Sequence, residues 1–238
     1  MTKLGELHEF CWMDLKTYDI AGTATFFSAV LNWRFEVDED DWRRTTKITV
    51  DGHQIGTVSD LANPIYPPGT PAHIAYYIRV DDVDHRVEVA TLNGAQLVLA
   101  PFDAGGQGRV ATLIDPAGAV FSLWQADRFS GWRVPPNTAY APQRMVLTGD
   151  RPRQAEDFYR RVLGTGFRCC DFLTAASVSG GGAPQWELAI GATDLQKVAA
   201  RVLDHGGMYA WSEHAERPSL CLSSPHGLTL QILRLNDC

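Results

Sequence analysis

Residues 115–125 read DPAGAVFSLWQ, and residues 224–234 read SPHGLTLQILR. Each is a Pro-x-Gly turn feeding a run of alternating side chains, the form taken by the last strand of a sheet. Their glycines, Gly118 and Gly227, stand 109 residues apart, and working outward from them uncovers two more matched pairs. VDDVDHRVEVATLNGAQLV (80–98) parallels ATDLQKVAARVLDHGGMYA (192–210), with Asp82 and Asp194 offset by 112. YDIAGTATFFSAVLNWRF (18–35) parallels GDRPRQAEDFYRRVLGTGF (149–167): an Asp at a cap position, an aromatic pair (Phe26-Phe27, Phe158-Tyr159), then Val-Leu. All four stretches read as amphipathic helices entered through an acidic N-cap and closed near Gly or Asn. The chain is therefore an internal repeat, two halves built alike.

A short strand-like run precedes each helix: FCWMDLKT (10–17), HIAYYIRV (73–80), QRMVLT (143–148) and WELAIGA (186–192). Further runs such as KITVDGHQIGTV (47–58) and AQLVLAP (95–101) follow. The order strand, helix, strands occurs four times, two modules to a half, which predicts an α+β protein. DRFSGWRVPPNTAYAP (127–142) has the Pro, Gly and Asn content of a linker. The expected domains are 1–128 and 139–238. The offset between halves falls from 131 at Asp19/Asp150 to 112 at Asp82/Asp194, so the third module is about 20 residues shorter. CCDFLTAASVSGGGAP (169–184) replaces the strands of 36–70, and its Gly180–Gly182 run reads as a mobile loop or as a bare sheet edge.

Composition narrows the function classes. The 238 residues are 45% hydrophobic and 21% charged, enough for a sizeable core, and the net charge of −7 offers no field that attracts a polyanion. Nucleic acid is excluded as a partner on that ground. No stretch approaches the ~18 apolar residues of a membrane span, and the N-terminus lacks a secretory core, which predicts a cytoplasmic protein with no membrane partner. Five cysteines (Cys11, Cys169, Cys170, Cys221, Cys238), an odd count with no CxxC pair, argue against a disulfide framework or a structural zinc site. GGQGRVA (105–111) lacks the Lys-Ser/Thr ending of a phosphate loop and reads as a hairpin turn.

The quadruple layout resembles the vicinal oxygen chelate superfamily, which includes glyoxalase I, extradiol dioxygenases, fosfomycin resistance enzymes and bleomycin-binding proteins. The resemblance rests on the D…FY…VLG helix, the VDDVD helix start and the DPxG turn into the final strand. It spans nearly the whole chain and is weakest over 36–70 and 168–184. It implies four βαβββ modules forming two domains with cupped mixed sheets, and ligand positions on the first strand of a module and the last strand of the second. A divalent metal there takes three or four N/O donors.

Counting from internal landmarks places those positions. Trp12 stands seven before Asp19, Ala75 five before Val80 and Ser122 four after Gly118; His73 misses by two. These do not make a ligand set, so the first cup is expected to hold no metal. Trp12, Tyr77 and Trp124 would instead line an aromatic pocket with Asp14, Arg79 and Ser122 as polar contacts, unless the aromatics simply fill the sheet interior. Gln54 is a further polar candidate for a cup face. In the second half the same count gives Gln143, Glu187 and Gln231. These three could hold a divalent metal weakly. Alternatively Glu187 is a general base, or the three form a satisfied buried cluster. Three functions remain: metal-independent binding of a small, largely apolar or aromatic molecule, an antibiotic or secondary-metabolite intermediate, including resistance by sequestration; a lyase, isomerase or oxygenase built on Glu187; or a protein-interaction module that uses the shortened third module as an exposed edge. No cofactor is expected beyond a metal in the second domain, and a monomer or homodimer suits either of the first two.

Overall fold

A computed structural model describes residues 4–39, 45–174, 184–212 and 218–235. Gly180–Gly182, His214 and Cys238 lie outside these residues. In chain order the elements are β1 (Phe10–Thr17), α1 (Ile20–Leu31), β2 (Arg34–Val37), β3 (Thr46–Val50), β4 (His53–Asp60), β5 (His73–Val80), α2 (Val83–Leu92), β6 (Gln96–Asp103), β7 (Gly108–Ile114), β8 (Val120–Ala126), β9 (Pro142–Gly149), α3 (Pro152–Leu163), β10 (Cys170–Thr174), β11 (Gln185–Ala192), α4 (Leu195–Asp204), β12 (Met208–Ser212), β13 (Ser219–Ser223) and β14 (Thr229–Arg234). Strand, helix, strands thus recurs four times, and among the described residues the third module has one strand after its helix where the first has three.

Each half supplies one mixed sheet. The first runs β2-β3-β4-β1-β5-β8-β7-β6 and the second β10-β9-β11-β14-β13-β12. Within a module the first strand pairs parallel to the last, as β1 does with β4 and β5 with β8, because the helix crosses over between them. The consecutive strands that follow a helix pair as antiparallel hairpins, β2 with β3, β3 with β4, β6 with β7, β7 with β8, β12 with β13 and β13 with β14. β3 and β4 are joined by Asp51-Gly52, both at positive φ (49° and 76°), the backbone that a two-residue hairpin turn demands.

Three helices start at the Asp read from the sequence: Asp19 accepts from the amide of Gly22, Asp82 from that of His85 and Asp194 from that of Lys197. The fourth does not. Pro152 occupies the first helical position of α3, where its missing N–H costs nothing, and this moves the N-cap to Arg151 rather than Asp150.

By compactness the chain divides into two units, each drawing on both halves: residues 1–12, 76–132 and 143–188, and residues 13–75, 133–142 and 189–238. In the first, α2 packs on α3 over an aromatic core in which Tyr159 meets Phe121, Phe167 and Trp186 at 5.2–5.5 Å. Its hydroxyl donates to Asp115 (2.9 Å) and accepts from the Trp186 indole (2.8 Å). Asp115 also holds its own turn, accepting from the amides of Ala117 and Ala119. Burial and the Asp115 carboxylate push the Tyr159 hydroxyl far above its ordinary value. Arg86 of α2 donates to the Val162 carbonyl near the end of α3, a favourable place for a cation. In the second unit α1 packs on α4, and Arg201 of α4 likewise reaches the Val30 carbonyl near the end of α1.

Candidate functional site

Tyr77 and Ser122 are Cα partners across β5 and β8, as are Arg79 and Trp124, so these four side chains share one face of the first sheet. The alternate residues Tyr76, Ile78, Phe121 and Leu123 are buried on the other. Ser122 is buried and exchanges a hydrogen bond with Thr112 of β7 (2.9 Å). The Trp124 ring lies over Gly108, where a Cβ would come within 2.5 Å of it, and packs edge-on against Tyr77 (6.4 Å).

The segment after β8 folds back onto this face. The Asp127 and Phe129 amides donate to the Gln107 carbonyl, the Trp132 amide donates to that of Cys11, and the Trp124 indole donates to the Phe129 carbonyl (2.8 Å). The Phe129 ring stands between Trp12 (4.5 Å) and Trp124 (6.1 Å), edge-on to both. Phe129 lies in the stretch read from sequence as linker, where no periodicity marks a residue as packed.

Arg79 is half-buried, and its Nη1 donates to the Gly5 carbonyl at 3.3 Å. No acidic side chain pairs with it among the described residues.

The second unit contains a polar group of its own. Asp14 is 6% exposed and accepts from Lys16 Nζ (2.9 Å), Thr57 Oγ1 (3.0 Å) and Ser59 Oγ (2.7 Å). Lys16 also donates to the Tyr66 hydroxyl and lies 4.7 Å from the centre of that ring. The spacing Asp-x-Lys, two residues apart on a strand, could have marked this pair, but Asp14 is expected from the sequence beside the aromatic residues instead. A register shift between Ile48 and Thr49 sets Gln54 opposite Thr49, on the face that Thr57 occupies.

In the second half, Gln143 and Glu187 belong to the first unit and Gln231 to the second. Moving the α3 cap to Arg151 moves the count too. Seven before it stands Arg144, paired through two hydrogen bonds with Asp171 (2.7 and 2.8 Å), and Gln143 is one residue out of step. Glu187 is half-buried on β11 and accepts from Gln185 (3.4 Å). Gln231 is 5% exposed on β14, opposite Cys221 and Ala189.

The donors in the first half do not fit a metal. Trp12 and Ala75 carry none, Ser122 is bonded to Thr112, and the Asp14 carboxylate is neutralised by Lys16. His73 holds its Nδ1 2.8 Å from the Pro71 carbonyl. Among the described residues no three His, Cys, Asp or Glu side chains form a group able to hold a metal. Among the described residues Cys11, Cys169, Cys170 and Cys221 form no disulfide, and burial raises the pKa of Cys169 to about 11.

Comparison with known proteins matches this architecture. A family described as a glyoxalase-like domain matches residues 12–124. The proposed glyoxylase CFP32 of Mycobacterium tuberculosis is 27% identical, covering 94% of this chain and 93% of its own length. The anthracycline biosynthesis protein DnrV of Streptomyces peucetius is 26% identical over 95% of this chain and 93% of its own. Among solved structures, the Mn(II)-bound glyoxalase of Novosphingobium aromaticivorans superposes with a TM-score of 0.63 at 13% identity, covering 96% of this chain and 82% of that one. A catechol 2,3-dioxygenase gives 0.60 at 14% identity over 96% and 88%. Residues 12–124 are thus a glyoxalase-like domain, and the chain, with four modules in two sheets, has the fold of these solved glyoxalases and dioxygenases.

Proposed function

We propose that this protein binds a small, largely apolar or aromatic molecule without a metal, on the face of the first sheet that carries Trp12, Tyr77 and Trp124. The observation that carries this reading is the donor set. At the positions that the family resemblance implies for metal ligands stand an indole, a methyl group and a hydroxyl already bonded to its neighbour. Aromatic side chains replace them, and rings prefer the edge-on contacts that Phe129 already makes there. A flat ligand entering the same slot displaces Phe129 and inherits its contacts with the two indoles. DnrV, named as an anthracycline biosynthesis protein, supports a polycyclic ligand, an antibiotic or an intermediate toward one. Sequestration of such a molecule in the cytoplasm by a monomer or homodimer would confer resistance to it.

The test is titration of chelator-treated protein with a flat aromatic probe, followed by tryptophan fluorescence. Saturable quenching without added metal is expected, weakened about tenfold in Trp12→Ala and Trp124→Ala. Unchanged quenching in both variants, or binding that requires a divalent ion, overturns the reading.

The enzyme reading keeps one observation in its favour: Glu187 lies seven before Asp194, as Trp12 lies seven before Asp19. Its chemistry would need a divalent ion lost in Glu187→Ala, or a turnover abolished by that substitution. Metal analysis of the purified protein decides the first.

A further inference from the structure

The repeat contains its own control for Arg79. Lys16 stands three residues before the cap Asp19, and Arg79 stands three before the cap Asp82, so each is the last inward cation on the first strand of its module. Two residues earlier, β1 carries Asp14 and β5 carries Tyr77. The first module therefore neutralises its cation internally, with a 2.9 Å bond from Lys16 to Asp14. The second module puts a phenol where the carboxylate would be. Among the described residues Arg79 is left half-buried with one side-chain hydrogen bond, 3.3 Å to a backbone carbonyl, and no acidic partner, although a guanidinium carries five N–H donors in a planar fork. Partial burial of a cation without an anion costs free energy that an anionic ligand would offset. The same face holds the aromatic rings, with Trp124 the direct cross-strand partner of Arg79.

We propose that Arg79 is the anion-recognition residue of this site, and that its ligand is a flat aromatic molecule bearing a carboxylate at one edge, gripped by the guanidinium fork. This rests on the binding function proposed above and names the chemical class of its ligand. Arg79 then selects among aromatic molecules rather than supplying most of the affinity: the rings bind the body and the guanidinium selects the acid.

The experiment is calorimetric titration of the chelator-treated full chain with 2-naphthoate and with its neutral isostere 2-naphthamide. The wild-type protein is expected to hold the acid about tenfold more tightly than the amide, the scale of a hydrogen bond to a charged group. Arg79→Gln is expected to bring the acid down to the amide's affinity and leave the amide unchanged. Arg79→Lys, which keeps the charge and loses the fork, should retain only part of the preference. If both probes bind the wild-type protein equally, or the preference survives Arg79→Gln, the anion assignment is overturned while aromatic binding stands. If neither probe binds, the underlying function falls and this inference with it. The comparison between probes on unaltered protein decides the matter even if a variant does not fold.

Discussion

At the scale of single residues, the chain shows two ways of handling a buried carboxylate. Asp14 has a lysine and two hydroxyls around it. Glu9, 2% exposed, has backbone amides instead: those of Arg168 at 2.7 Å and Cys169 at 3.4 Å. Those bonds favour the charged form, but burial outweighs them and raises the Glu9 pKa above its ordinary 4.5. A carboxyl whose pKa is higher in the folded than in the unfolded state stabilises the fold fully below the unfolded value. That contribution is lost as pH rises through the folded one. Glu9→Gln keeps an oxygen for the Arg168 amide and removes the titration. Thermal melts of both proteins from pH 4 to pH 7 are expected to show the variant gaining on the wild type as pH rises. A stability difference that does not move with pH would mean that Glu9 carries no such penalty. None of this was visible in the sequence, where Glu9 reads as a polar residue ahead of the first strand, because the two amides that bury it lie about 160 positions away. Trp12, Tyr77 and Trp124 could be counted out as candidates because strand alternation and cap counting are local. Phe129, whose ring packs edge-on against both Trp12 and Trp124, could not.

Elements were the most legible level, and the errors have physical causes. Asp at a cap followed by an apolar stripe located three helix starts, and the fourth shifted by one residue because Pro152 fixes the first turn. That single step carried the counted site residue from Arg144 to Gln143. Strand pairing carries a constraint that alternation cannot reveal. β4 contains Gly56, next to the register shift, and a Cβ there would lie 2.9–3.1 Å from Met13 Cγ, Cε and backbone oxygen. The backbone of β1 is held by its parallel ladder with β4, so a side chain at position 56 must push the Met13 side chain and carbonyl aside. Gly56→Ala is expected to cost about 1–3 kcal/mol by overpacking, lowering the melting temperature by roughly 2–4 °C for each kcal/mol in a chain of this size. Gly166→Ala is the control, since its nearest side-chain atom is Arg160 Nε at 4.0 Å and its backbone is unstrained. Equal melting temperatures for the two variants would show that β1 yields at Met13.

For the whole molecule, the repeat made the halves readable and concealed how they are stabilised. Each half forms one sheet, which is why a break near 128–139 follows from sequence. We propose 1–128 and 139–238 as domains in that sense. The helices, however, choose partners across the halves: α1 packs on α4 and α2 on α3, and each compact unit contains segments from both halves. Four amphipathic helices of similar period give no sequence signal for which pairs with which. The nearest hint is Arg86 and Arg201, each reaching a carbonyl near the end of its partner helix. Separating the halves uncovers Phe26 and Val30 on α1 and Phe158 and Val162 on α3, side chains at most 3% exposed in the intact chain. Uncovered apolar area of that size removes several kcal/mol from a net stability of about 5–15. Fragments 1–128 and 139–238 expressed apart are therefore expected to bind a hydrophobic dye and lack near-ultraviolet dichroism. Mixing them should restore the dichroism of the full chain with one-to-one stoichiometry. A fragment 1–128 that melts cooperatively alone, at the temperature of the intact protein, would show that each sheet with its own two helices is a self-sufficient core and that the cross-half packing adds nothing.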